Sequence, residues 1–485
     1  MGSGQVTSSV SPDFQGMHVT VAGLGVSGVP AAKVLHARGA IVTVVNDGDD
    51  ARAREQAAGL EALGVTVRLG DTASVSGSAA GTLPEGTELI VTAPGWKPDK
   101  PLFQAARAAG VDIWGDVELA WRLRGPDAAP WLAVTGTNGK TTTVQMLASI
   151  LRAAGLRTAA VGNIGVSLLD AVLGDQEYDV LAVELSSYQL HWAPSLRAHS
   201  AAVLNLAPDH LDWHGSMEAY AKDKGRVYEG NRVACVYNVA DKLTEQLVRE
   251  ADVEEGCRAV GFTLGTPGPS QLGVVDGILV DRAFVENRHK NAQELAEVSD
   301  VNPPAPHNIA NALAAAALAR AYGVPPTAVR DGLRAFTPDA HRIAHVADVD
   351  GVAYVDDSKA TNTHAAEASL ASYESIVWIA GGLAKGATFD ELVAKSAKRL
   401  RGVVLIGADR ALIREALARH APEVPVVDLD RTDTGAMLAA VREARRLAVA
   451  GDTVLLAPAC ASMDMFANYN KRGDAFAQAV RELGA

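Results

Sequence analysis

Two glycine-rich stretches of the sequence combine residue types and spacings that suit the binding of phosphate groups. In the first, AGLGVSGVP, Gly23, Gly25 and Gly28 follow the apolar run HVTV with the spacing G-x-G-x-x-G. Asp47 follows the next apolar run, IVTVV. A glycine turn with an acidic residue about 20 residues later is typical of dinucleotide-binding domains. This stretch alone therefore favours a dinucleotide site and leaves an NAD-dependent oxidoreductase as one hypothesis.

The second stretch, TGTNGKTTT, is a shortened phosphate loop. It lacks the first glycine of the motif G-x-x-x-x-G-K-[ST], because Val134 stands at that position. Gly136 and Gly139 nevertheless allow backbone N–H groups to approach phosphates, and Lys140 can reach the terminal ones. Thr141 offers a hydroxyl to Mg²⁺. The strand-like run WLAV before the loop and the helical pattern after it predict a triphosphate site at a helix N-terminus, which favours anions.

Two further residues are candidates for a metal site beside this loop. Glu184 follows a buried strand in DVLAVELSS, and His210 follows another apolar run in the segment PDHLDWHG. Magnesium binds proteins through one or two carboxylates together with substrate phosphates. A lone glutamate at a strand end is most often only solvated, and a lone histidine there is most often an ordinary loop residue. The Gly-Lys-Thr loop earlier in the chain favours the metal hypothesis for Glu184.

The elements that must position these residues alternate between strand-like runs and helical patterns, which predicts parallel sheets with helices on both faces. We predict three α/β domains: a Rossmann-like domain at 17–115, a central P-loop ATPase-like domain at 116–338 and a Rossmann-like domain at 339–485. The third contains the runs GVAYVDDSK, SIVWIAGG, GVVLIG, VPVVDL and DTVLLAPA. The segment 254–300 is charged and weakly patterned, so no element is assigned to it.

The composition of the 485 residues, with 48% hydrophobic and 21% charged side chains and a net charge of −13, is that of a soluble globular protein. An acidic chain disfavours general nucleic-acid binding, which needs clustered Lys and Arg. The alanine-rich stretch NIANALAAAALARAYGV carries Arg320 and predicts a core helix, not a membrane span. Cys235, Cys257 and Cys460 share no close spacing, so we expect free buried thiols and a cytoplasmic location. The Gly/Ser-rich residues 1–16 are expected to form a flexible tail.

Several motifs of the central block together resemble those of the ATP-dependent Mur ligases of peptidoglycan synthesis. They are TGTNGKTTT, GNIG, ELSSYQL, DHLDWHG, YAKDKGRVY and PHNIANALAA. In the third block, DDSKATN, IAGG, the pair HR at 341–342 and PACASMDMFANYNKRGDAF are similar to the members of this family that add D-glutamate. The resemblance covers all three blocks and implies a part in cell-wall growth, cell shape and cell division.

The reaction implied by the resemblance joins D-glutamate to UDP-N-acetylmuramoyl-L-alanine through an acyl phosphate. ATP is converted to ADP and phosphate, and Mg²⁺ is expected at two sites. The first domain would bind the uridine diphosphate of the precursor, so no NAD is expected. We further expect a monomer without a nucleic-acid partner. A sibling ligase that adds another amino acid stays open as an alternative, as does an NAD-dependent oxidoreductase.

Individual residues take their implied roles from the motifs they match. ATP would be bound by Gly136, Thr137, Asn138, Gly139, Lys140, Thr141, Thr142, Asn308, Arg342 and Asp357. The metal would be held by Thr141, Glu184, His210 and a carbamylated Lys224. The precursor would contact Gly25, Val26, Ser27, Asn46, Asp47 and Asn163. D-Glutamate would contact Thr361, Lys385, Ser462 and Tyr469, and the catalytic set would be Lys140, Lys224, His210 and Lys359.

Two of these implied assignments have a further consequence. Lys222 is an alternative to Lys224 as the carbamylated lysine, since it lies only two residues away. Arg342 belongs to the third block, so the resemblance implies that ATP binds between domains and that domain closure assembles the site.

The sequence departs from the family pattern at three positions. Trp96 stands after the Pro-Gly turn where the family usually has a smaller residue near the sugar phosphate. Ala384 precedes Lys385 where an aspartate is common, and Tyr469 occupies a position that can be phenylalanine. The first two affect the expected precursor contacts and the orientation of Lys385, whereas the third could add a hydrogen bond.

Overall fold

The computed structural model describes residues 12–70, 83–431, 433 and 435–483. These residues form two compact units. One contains the described residues up to Val301 together with Ile309–Phe336, and the other contains Asn302–Asn308 and the described residues from Thr337 onward.

The first sheet is built by the N-terminal part of the first unit and is parallel throughout. Its elements are β1 (His18–Ala22), α1 (Gly28–Ala37), β2 (Ile41–Asn46), α2 (Ala51–Glu61), β3 (Thr66–Leu69), β4 (Leu89–Thr92), α3 (Pro101–Ala108), β5 (Asp112–Gly115) and α4 (Asp116–Leu123). The strand order is β3-β2-β1-β4-β5, so the order reverses at β1. Ligands of open α/β sheets bind beside such a reversal, at the carboxyl ends of the strands. The first glycine turn, between β1 and α1, lies at this place.

The second sheet forms the centre of the first unit. Its first elements are β6 (Trp131–Thr135), α5 (Lys140–Ala153), β7 (Ala160–Gly162), α6 (Leu168–Leu173), β8 (Leu181–Glu184), α7 (Ser187–His191), β9 (Ser200–Val203), α8 (Leu211–His214) and α9 (Met217–Gly225). They are followed by β10 (Ala234–Asn238), α10 (Lys242–Glu250), β11 (Arg258–Phe262), β12 (Gln271–Val275), β13 (Ile278–Asp281), β14 (Gln293–Glu297), α11 (Pro306–Ala321) and α12 (Pro326–Ala335). The strand order is β14-β13-β12-β11-β10-β9-β6-β8-β7.

The second sheet and the helix α11 that packs on it are deeply buried. Every residue of β6 is buried, so the strand before the phosphate loop is covered on both faces. The alanines of α11 between Ala312 and Ala319 are fully buried against α5 and the sheet, which confirms the predicted core helix. Among the helices that the structure describes, none is both long and apolar enough to cross a membrane.

The sheet of the second unit has the order β15-β16-β20-β17-β18-β19. Its elements are β15 (Ala344–Val349), β16 (Val352–Asp356), α13 (Thr363–Ala371), β17 (Ile376–Gly381), α14 (Asp390–Ser396), β18 (Leu400–Ile406), α15 (Arg410–His420), β19 (Val426–Asp428), α16 (Ala436–Leu447), β20 (Thr453–Leu456) and α17 (Tyr469–Leu483). Strand β20 pairs in parallel with both β16 and β17, so the carboxyl ends of these three strands lie side by side.

The predicted α/β architecture is confirmed, with one correction at the sheet edges. The hairpins β12–β13 and β15–β16 are antiparallel, as is the pairing of β13 with β14, so the second and third sheets are not parallel throughout. Each hairpin turns at an Asp-Gly pair with positive φ, Asp276–Gly277 and Asp350–Gly351, as two-residue hairpins require. The unassigned segment 254–300 contains strands β11 to β14.

Other sequence expectations have mixed outcomes. Cys235 and Cys460 are buried free thiols as expected, whereas Cys257 is only half-buried. Its sulfur lies 3.9 Å from that of Cys235, because Cys257 immediately precedes β11, the strand that pairs with β10 of Cys235. Residues 1–11 of the expected tail lie outside the described residues. The three domain boundaries stay predictions.

Candidate active site

The second glycine loop joins the end of β6 to the first residue of α5. Gly139 has a φ of 84°, and a Cβ on it would stand 2.4 Å from Oδ1 of Asn311. Only glycine fits a left-handed position this close to another side chain. The loop therefore brings its backbone to the N-terminus of α5, where N–H groups favour an anion.

The ammonium group of Lys140 lies over the same loop. Its Nζ donates to the carbonyl oxygens of Gly136 and Thr137, each at 2.9 Å. Asn205, which follows β9, fixes the loop from the other side. Its Oδ1 accepts from the Asn138 N–H at 2.8 Å, and its Nδ2 donates to the Asn138 carbonyl at 3.0 Å. Both the loop and its lysine are thus held in place by hydrogen bonds.

Glu184 ends β8, the strand beside β6, and is 2% exposed. Its Oε1 accepts a hydrogen bond from Nδ2 of Asn163 at 2.9 Å. Its Oε2 is buried and has no hydrogen-bond partner within the described part of the chain. A buried carboxylate oxygen without a partner costs free energy unless a cation or donor satisfies it. This oxygen therefore fits a metal ion.

Lys224, in α9, is also 2% exposed and contacts the loop. Its Nζ donates to the carbonyl of Gly136 at 2.8 Å and lies 4.7 Å above the ring of Tyr220. Burial, and after it the charge of Lys140, lowers the pKa of Lys224 well below its ordinary value. Lys222, the alternative for carbamylation, is exposed.

His210 immediately precedes α8 and has a left-handed φ of 54°. Its Nε2 lies 3.5 Å from Oδ2 of Asp209, and its ring lies 4.9 Å from that of Tyr188. Burial lowers the pKa of His210, Asp209 opposes this effect, and the charges of Lys140 and Lys224 add to it. The interaction with both lysines indicates that His210 shares their electrostatic environment.

Among the described residues, no group of three or more His, Cys, Asp or Glu side chains is arranged to hold a metal ion. A magnesium site here therefore needs other ligands besides Glu184 and His210. Substrate phosphates and the Thr141 hydroxyl are such ligands, and a carbamate on Lys224 would be another.

The first glycine turn is held by the neighbouring strand β2. The Leu24 N–H donates to Oδ1 of Asn46 at 3.0 Å. A Cβ on Gly28 would stand 1.9 Å from the carbonyl oxygen of Gly23, so the turn can close only around glycine at position 28. Val26 is exposed at the tip of the turn.

Charged and aromatic side chains surround this turn. The Asp47 carboxylate pairs with the ammonium of Lys100, which lies 4.9 Å above the ring of Trp96. Trp96 packs against the turn, since a Cβ on Gly23 would stand 3.0 Å from its Nε1. The bulky residue that departs from the family pattern thus forms one wall of the turn.

Ser27 links the first glycine turn to the start of α4. Its hydroxyl donates to Oδ2 of Asp116 at 2.8 Å, and Nε2 of Gln189 lies 3.4 Å from the same oxygen. Burial raises the pKa of Asp116, while these hydrogen bonds oppose the shift. Ser27 is therefore held in place by a residue outside the turn.

In the second unit, a pair of acidic residues marks the end of β16. Asp356 bonds Nδ1 of His341 at 2.7 Å, and Asp357 is hydrogen-bonded by Ser369. Burial raises the pKa of Asp357 to about 6, whereas the hydrogen bond from Ser369 and the charge of Arg342 oppose the shift. Arg342 and Asp357, both predicted to bind ATP, therefore interact electrostatically.

The residues predicted for D-glutamate lie near the ends of β16, β17 and β20. Nζ of Lys359 stands 4.0 Å above the ring of Tyr469, and the Thr361 N–H donates to the carbonyl of Lys359 at 2.8 Å. Lys385 has a left-handed φ of 50°, and Ser462 is buried. A backbone bridge between Leu383 and Ala461 holds the segments of Lys385 and Ser462 together.

The substitution at Ala384 leaves its backbone firmly positioned. The Ala384 N–H donates to Oδ2 of Asp409 at 2.8 Å, so a carboxylate from another loop orients this peptide next to Lys385. Asn308, predicted to bind ATP, lies in the first turn of α11 and donates through Nδ2 to the Pro303 carbonyl at 3.2 Å.

Sequence reasoning missed several residues that build these sites. They are Ser187, Asn205, His214, Tyr220, Asp223, Asn311 and Arg472. Two had a usable signal: His214 follows His210 by four residues, and Asn311 follows Asn308 by three, both spacings that place residues on one helical face. Arg472 is buried and donates from Nη2 to the Ser358 carbonyl at 2.9 Å and from Nη1 to the Cys460 carbonyl at 3.1 Å. Its part as a scaffold has no sequence signal.

Three family models match successive parts of the chain. They are the Mur ligase MurD-like N-terminal domain at residues 17–115, the Mur ligase middle domain at 134–319 and the Mur ligase glutamate ligase domain at 341–460. The chain belongs to the Mur ligase family, and the resemblance inferred from its motifs is confirmed.

Relatives with specific activities in their names match over nearly full length. The chain is 87% identical to the UDP-N-acetylmuramoylalanine–D-glutamate ligase of Streptomyces avermitilis, covering 98% of this chain and 100% of that protein. It is 59% identical to the enzyme of the same name from Thermobifida fusca, with 97% and 99% coverage.

Solved structures support the fold. The Thermotoga maritima MurF ligase in complex with ADP has a TM-score of 0.56 and 15% identity, covering 98% of this chain and 97% of that one. The UDP-N-acetylmuramate-alanine ligase MurC of the same organism has a TM-score of 0.53 and 18% identity, covering 96% and 100%.

Proposed function

We propose that the protein is an ATP-dependent ligase that adds D-glutamate to UDP-N-acetylmuramoyl-L-alanine in peptidoglycan synthesis. One observation carries the phosphate chemistry: Lys140 and Lys224 both donate to the single carbonyl oxygen of Gly136, at 2.9 and 2.8 Å. Two ammonium groups this close repel each other unless an anion lies between them or one loses its proton. The relatives described above supply the choice of substrates.

The phosphate loop would bind the β- and γ-phosphates of ATP. Backbone N–H groups at the start of α5 face the anion, and the Lys140 ammonium would move from its carbonyl partners to the γ-phosphate. Phosphoryl transfer requires little covalent chemistry from the protein, so positioning and charge stabilisation would account for most of the rate enhancement. The Asn205 hydrogen bonds keep the loop in shape while this happens.

Magnesium fits beside the loop, where the unpartnered Oε2 of Glu184 and the Thr141 hydroxyl would hold it, with His210 near a second ion. When bound, it neutralises charge on the phosphates. Asn163 would serve two groups, because it fixes Glu184 through Oε1 and is predicted to orient the L-alanyl end of the precursor. This shared contact would place the acceptor carboxylate beside the γ-phosphate.

Lys224 is the side chain best suited to carbamylation. Its burial favours the neutral amine, which is the form that adds to CO₂. The neutral amine nitrogen would bond to the carbon of CO₂ and release one proton, so a neutral group would become an anion. The carbamate would attract the Lys140 ammonium, and its oxygens would suit Mg²⁺.

The substrate carboxylate would attack the γ-phosphate, and the amine of D-glutamate would then attack the acyl phosphate and expel phosphate. Lys385 and the hydroxyls of Ser462, Thr361 and Tyr469 are the proposed contacts to the two carboxylates of D-glutamate, which favour charge-assisted hydrogen bonds. Lys359, above the Tyr469 ring, is held near these residues. The predicted contribution of Arg342 and Asp357 to ATP binding stays a prediction.

Three further expectations belong to this proposal. We propose a cytoplasmic location, because ATP is supplied there, and a monomeric state, which sedimentation velocity would test. The MurD-like match of the first domain supports a bound uridine diphosphate and gives no support to the NAD hypothesis. A sibling ligase stays an alternative until the amino acid is tested.

The decisive experiment measures phosphate release from ATP with Mg²⁺ and UDP-N-acetylmuramoyl-L-alanine while one amino acid at a time is varied. We expect release that needs both the precursor and D-glutamate and that ignores L-glutamate. Release with a different amino acid would assign the protein to a sibling step. An NAD-linked absorbance change without phosphate release would overturn the proposal.

A further inference from the structure

Three short segments carry the side chains that we assign to metal binding, and one histidine touches all three segments. His214 ends α8, the helix that His210 precedes. Its Nδ1 lies 3.0 Å from Oδ2 of Asp223, the neighbour of Lys224 in α9. Its Nε2 lies 2.9 Å from the hydroxyl of Ser187, which begins α7 three residues after Glu184. The imidazole therefore bridges α7, α8 and α9.

The environment of His214 leaves it no role other than bridging these helices. Its side chain is fully buried, so neither ring nitrogen reaches solvent or substrate. The Tyr188 ring stacks on it at 5.6 Å and 4°, and the Trp213 and Tyr220 rings enclose it at 4.4 and 5.2 Å. Ser187 is buried as well, which excludes an exposed Ser-His-Asp nucleophile although the three residues form such a chain of hydrogen bonds.

Tyr220, one of the aromatic residues that enclose His214, also contacts the phosphate loop. The Tyr220 hydroxyl lies 3.0 Å from Oγ1 of Thr137, and Lys224 stands over the Tyr220 ring. Tyr188, which stacks on His214, also contacts the His210 ring, with the ring centres 4.9 Å apart. A displacement of His214 would therefore shift the groups around the proposed metal as a set.

We propose that His214 is a positioning residue that, through Asp223 and Ser187, holds Glu184, His210 and Lys224 in the geometry needed to bind the metal. This inference rests on the proposed function, since it concerns the metal site of that reaction. Outer partners that orient metal ligands contribute about 10–100-fold to metal affinity or activity. His214 is such a partner, with the difference that it acts on three segments at once.

His191 provides a matched control. Its Nδ1 lies 2.9 Å from the same Oδ2 of Asp223, yet it lies within α7, and it meets α8 through the packing of its ring against that of Trp213 at 5.1 Å. If Asp223 needs only a hydrogen-bond donor, His191→Phe and His214→Phe should have equal effects. If the bridge matters, His214→Phe should be much the more damaging.

The experiment uses the full chain with three variants: His214→Phe, His214→Asn and His191→Phe. Mn²⁺ binding in the presence of ADP is followed by electron paramagnetic resonance, and kcat and the KM for D-glutamate are measured separately. We expect His214→Phe to weaken Mn²⁺ binding and lower kcat by about 10–100-fold. The KM for D-glutamate should change less than about twofold, because that predicted site lies in the other unit. His214→Asn keeps a donor toward Asp223 and should recover part of both losses.

Three results would overturn the proposal. They are unchanged Mn²⁺ affinity in a folded His214→Phe or His214→Asn chain, equal losses in His191→Phe and His214→Phe, and absence of Mn²⁺ binding by the unmodified protein. If His214→Phe does not fold, His214→Asn and Ser187→Ala decide by the same Mn²⁺ measurement. Failure of the proposed function is distinguishable, because an unmodified protein that binds Mn²⁺ but releases no phosphate would contradict the reaction alone.

Discussion

The two glycine turns of the first unit share a backbone plan and differ in the charges around them. Each follows the carboxyl end of a central strand, β1 or β6, and opens a helix, α1 or α5. Beside the first turn the ammonium of Lys100 is paired with Asp47, and the adjacent strand ends in Thr92. Beside the second, two lysines meet on the Gly136 carbonyl and the adjacent strand ends in Glu184.

In the proposed function, this difference distinguishes the turn that holds a phosphate from the turn at which one is transferred. A helix N-terminus with a glycine turn suffices to bind an anion, and both turns have it. Transfer additionally needs charge aimed at the moving phosphoryl group. Two lysines converge on the second turn, whereas the lysine beside the first turn is paired with Asp47. The following predictions test that contrast, in order of expected effect.

Lys140→Ala removes the cation over the second turn and should lower kcat by about 10³-fold, the upper range for loss of one stabilising group. The matched substitution at the first turn, Lys100→Ala, should leave kcat unchanged. Steady-state phosphate release measures both. Unimpaired turnover in Lys140→Ala would show that the second turn is not the transferring one.

Lys224→Ala should lower kcat by about 10²-fold, because it removes both a buried amine and its proposed carbamate. Short carboxylic acids such as formate should restore part of the activity by supplying the lost oxygens, while Lys222→Ala should behave as the unmodified protein. If Lys222→Ala and Lys224→Ala are equally impaired, the assignment to Lys224 is wrong.

The pH dependence follows from the lowered pKa of Lys224. A folded pKa below the ordinary value means that, at any given pH, a larger fraction of this amine is neutral than of an exposed lysine, and that this fraction decreases as the pH falls. Incorporation of ¹³C-labelled CO₂ at Lys224, observed by nuclear magnetic resonance, should therefore persist at neutral pH and disappear on acidification. Labelling that appears only at strongly alkaline pH would contradict the lowered pKa of Lys224.

Lys100→Ala should raise the KM for the UDP-precursor by about tenfold, which corresponds to one hydrogen bond to a charged group. The KM for ATP should not change, since this lysine lies beside the first turn. If the KM for ATP rises instead of the KM for the precursor, the roles that we propose for the two turns would have to be exchanged.

Asn46→Ala should have the smallest effect, a rise of about threefold to tenfold in the precursor KM. It removes the acceptor for the Leu24 N–H, and one neutral hydrogen bond contributes about 0.5–1.5 kcal/mol. Asn46→Asp keeps an acceptor oxygen, so its precursor KM should lie between those of the unmodified protein and of Asn46→Ala. Equal KM values in all three proteins would mean that the first turn needs no support from β2.

How much of the structure could be predicted from the sequence depends on how far apart in the chain the interacting residues lie. The glycine loops and Lys140 depend on neighbours in sequence, so spacing alone located them. The His214 bridge joins residues 27 and 9 positions apart in separate helices, and no periodic pattern reports such a contact. The segment 254–300 is different, because its Asp276–Gly277 turn between VV and IL was a readable hairpin signal. The segment was nevertheless left unassigned, because the residues of β14 are mostly polar and exposed, and an edge strand lacks the apolar run of a buried strand.

The unpartnered oxygen of Glu184 has a consequence for protein engineering. A buried polar group left unsatisfied lowers stability by about 1–3 kcal/mol, and more when it is charged. Glu184→Gln removes the charge and should raise the melting temperature of the ligand-free protein while it destroys the proposed metal site. A selection for heat resistance alone would therefore favour inactive chains, a trade-off between stability and activity concentrated at one carboxylate.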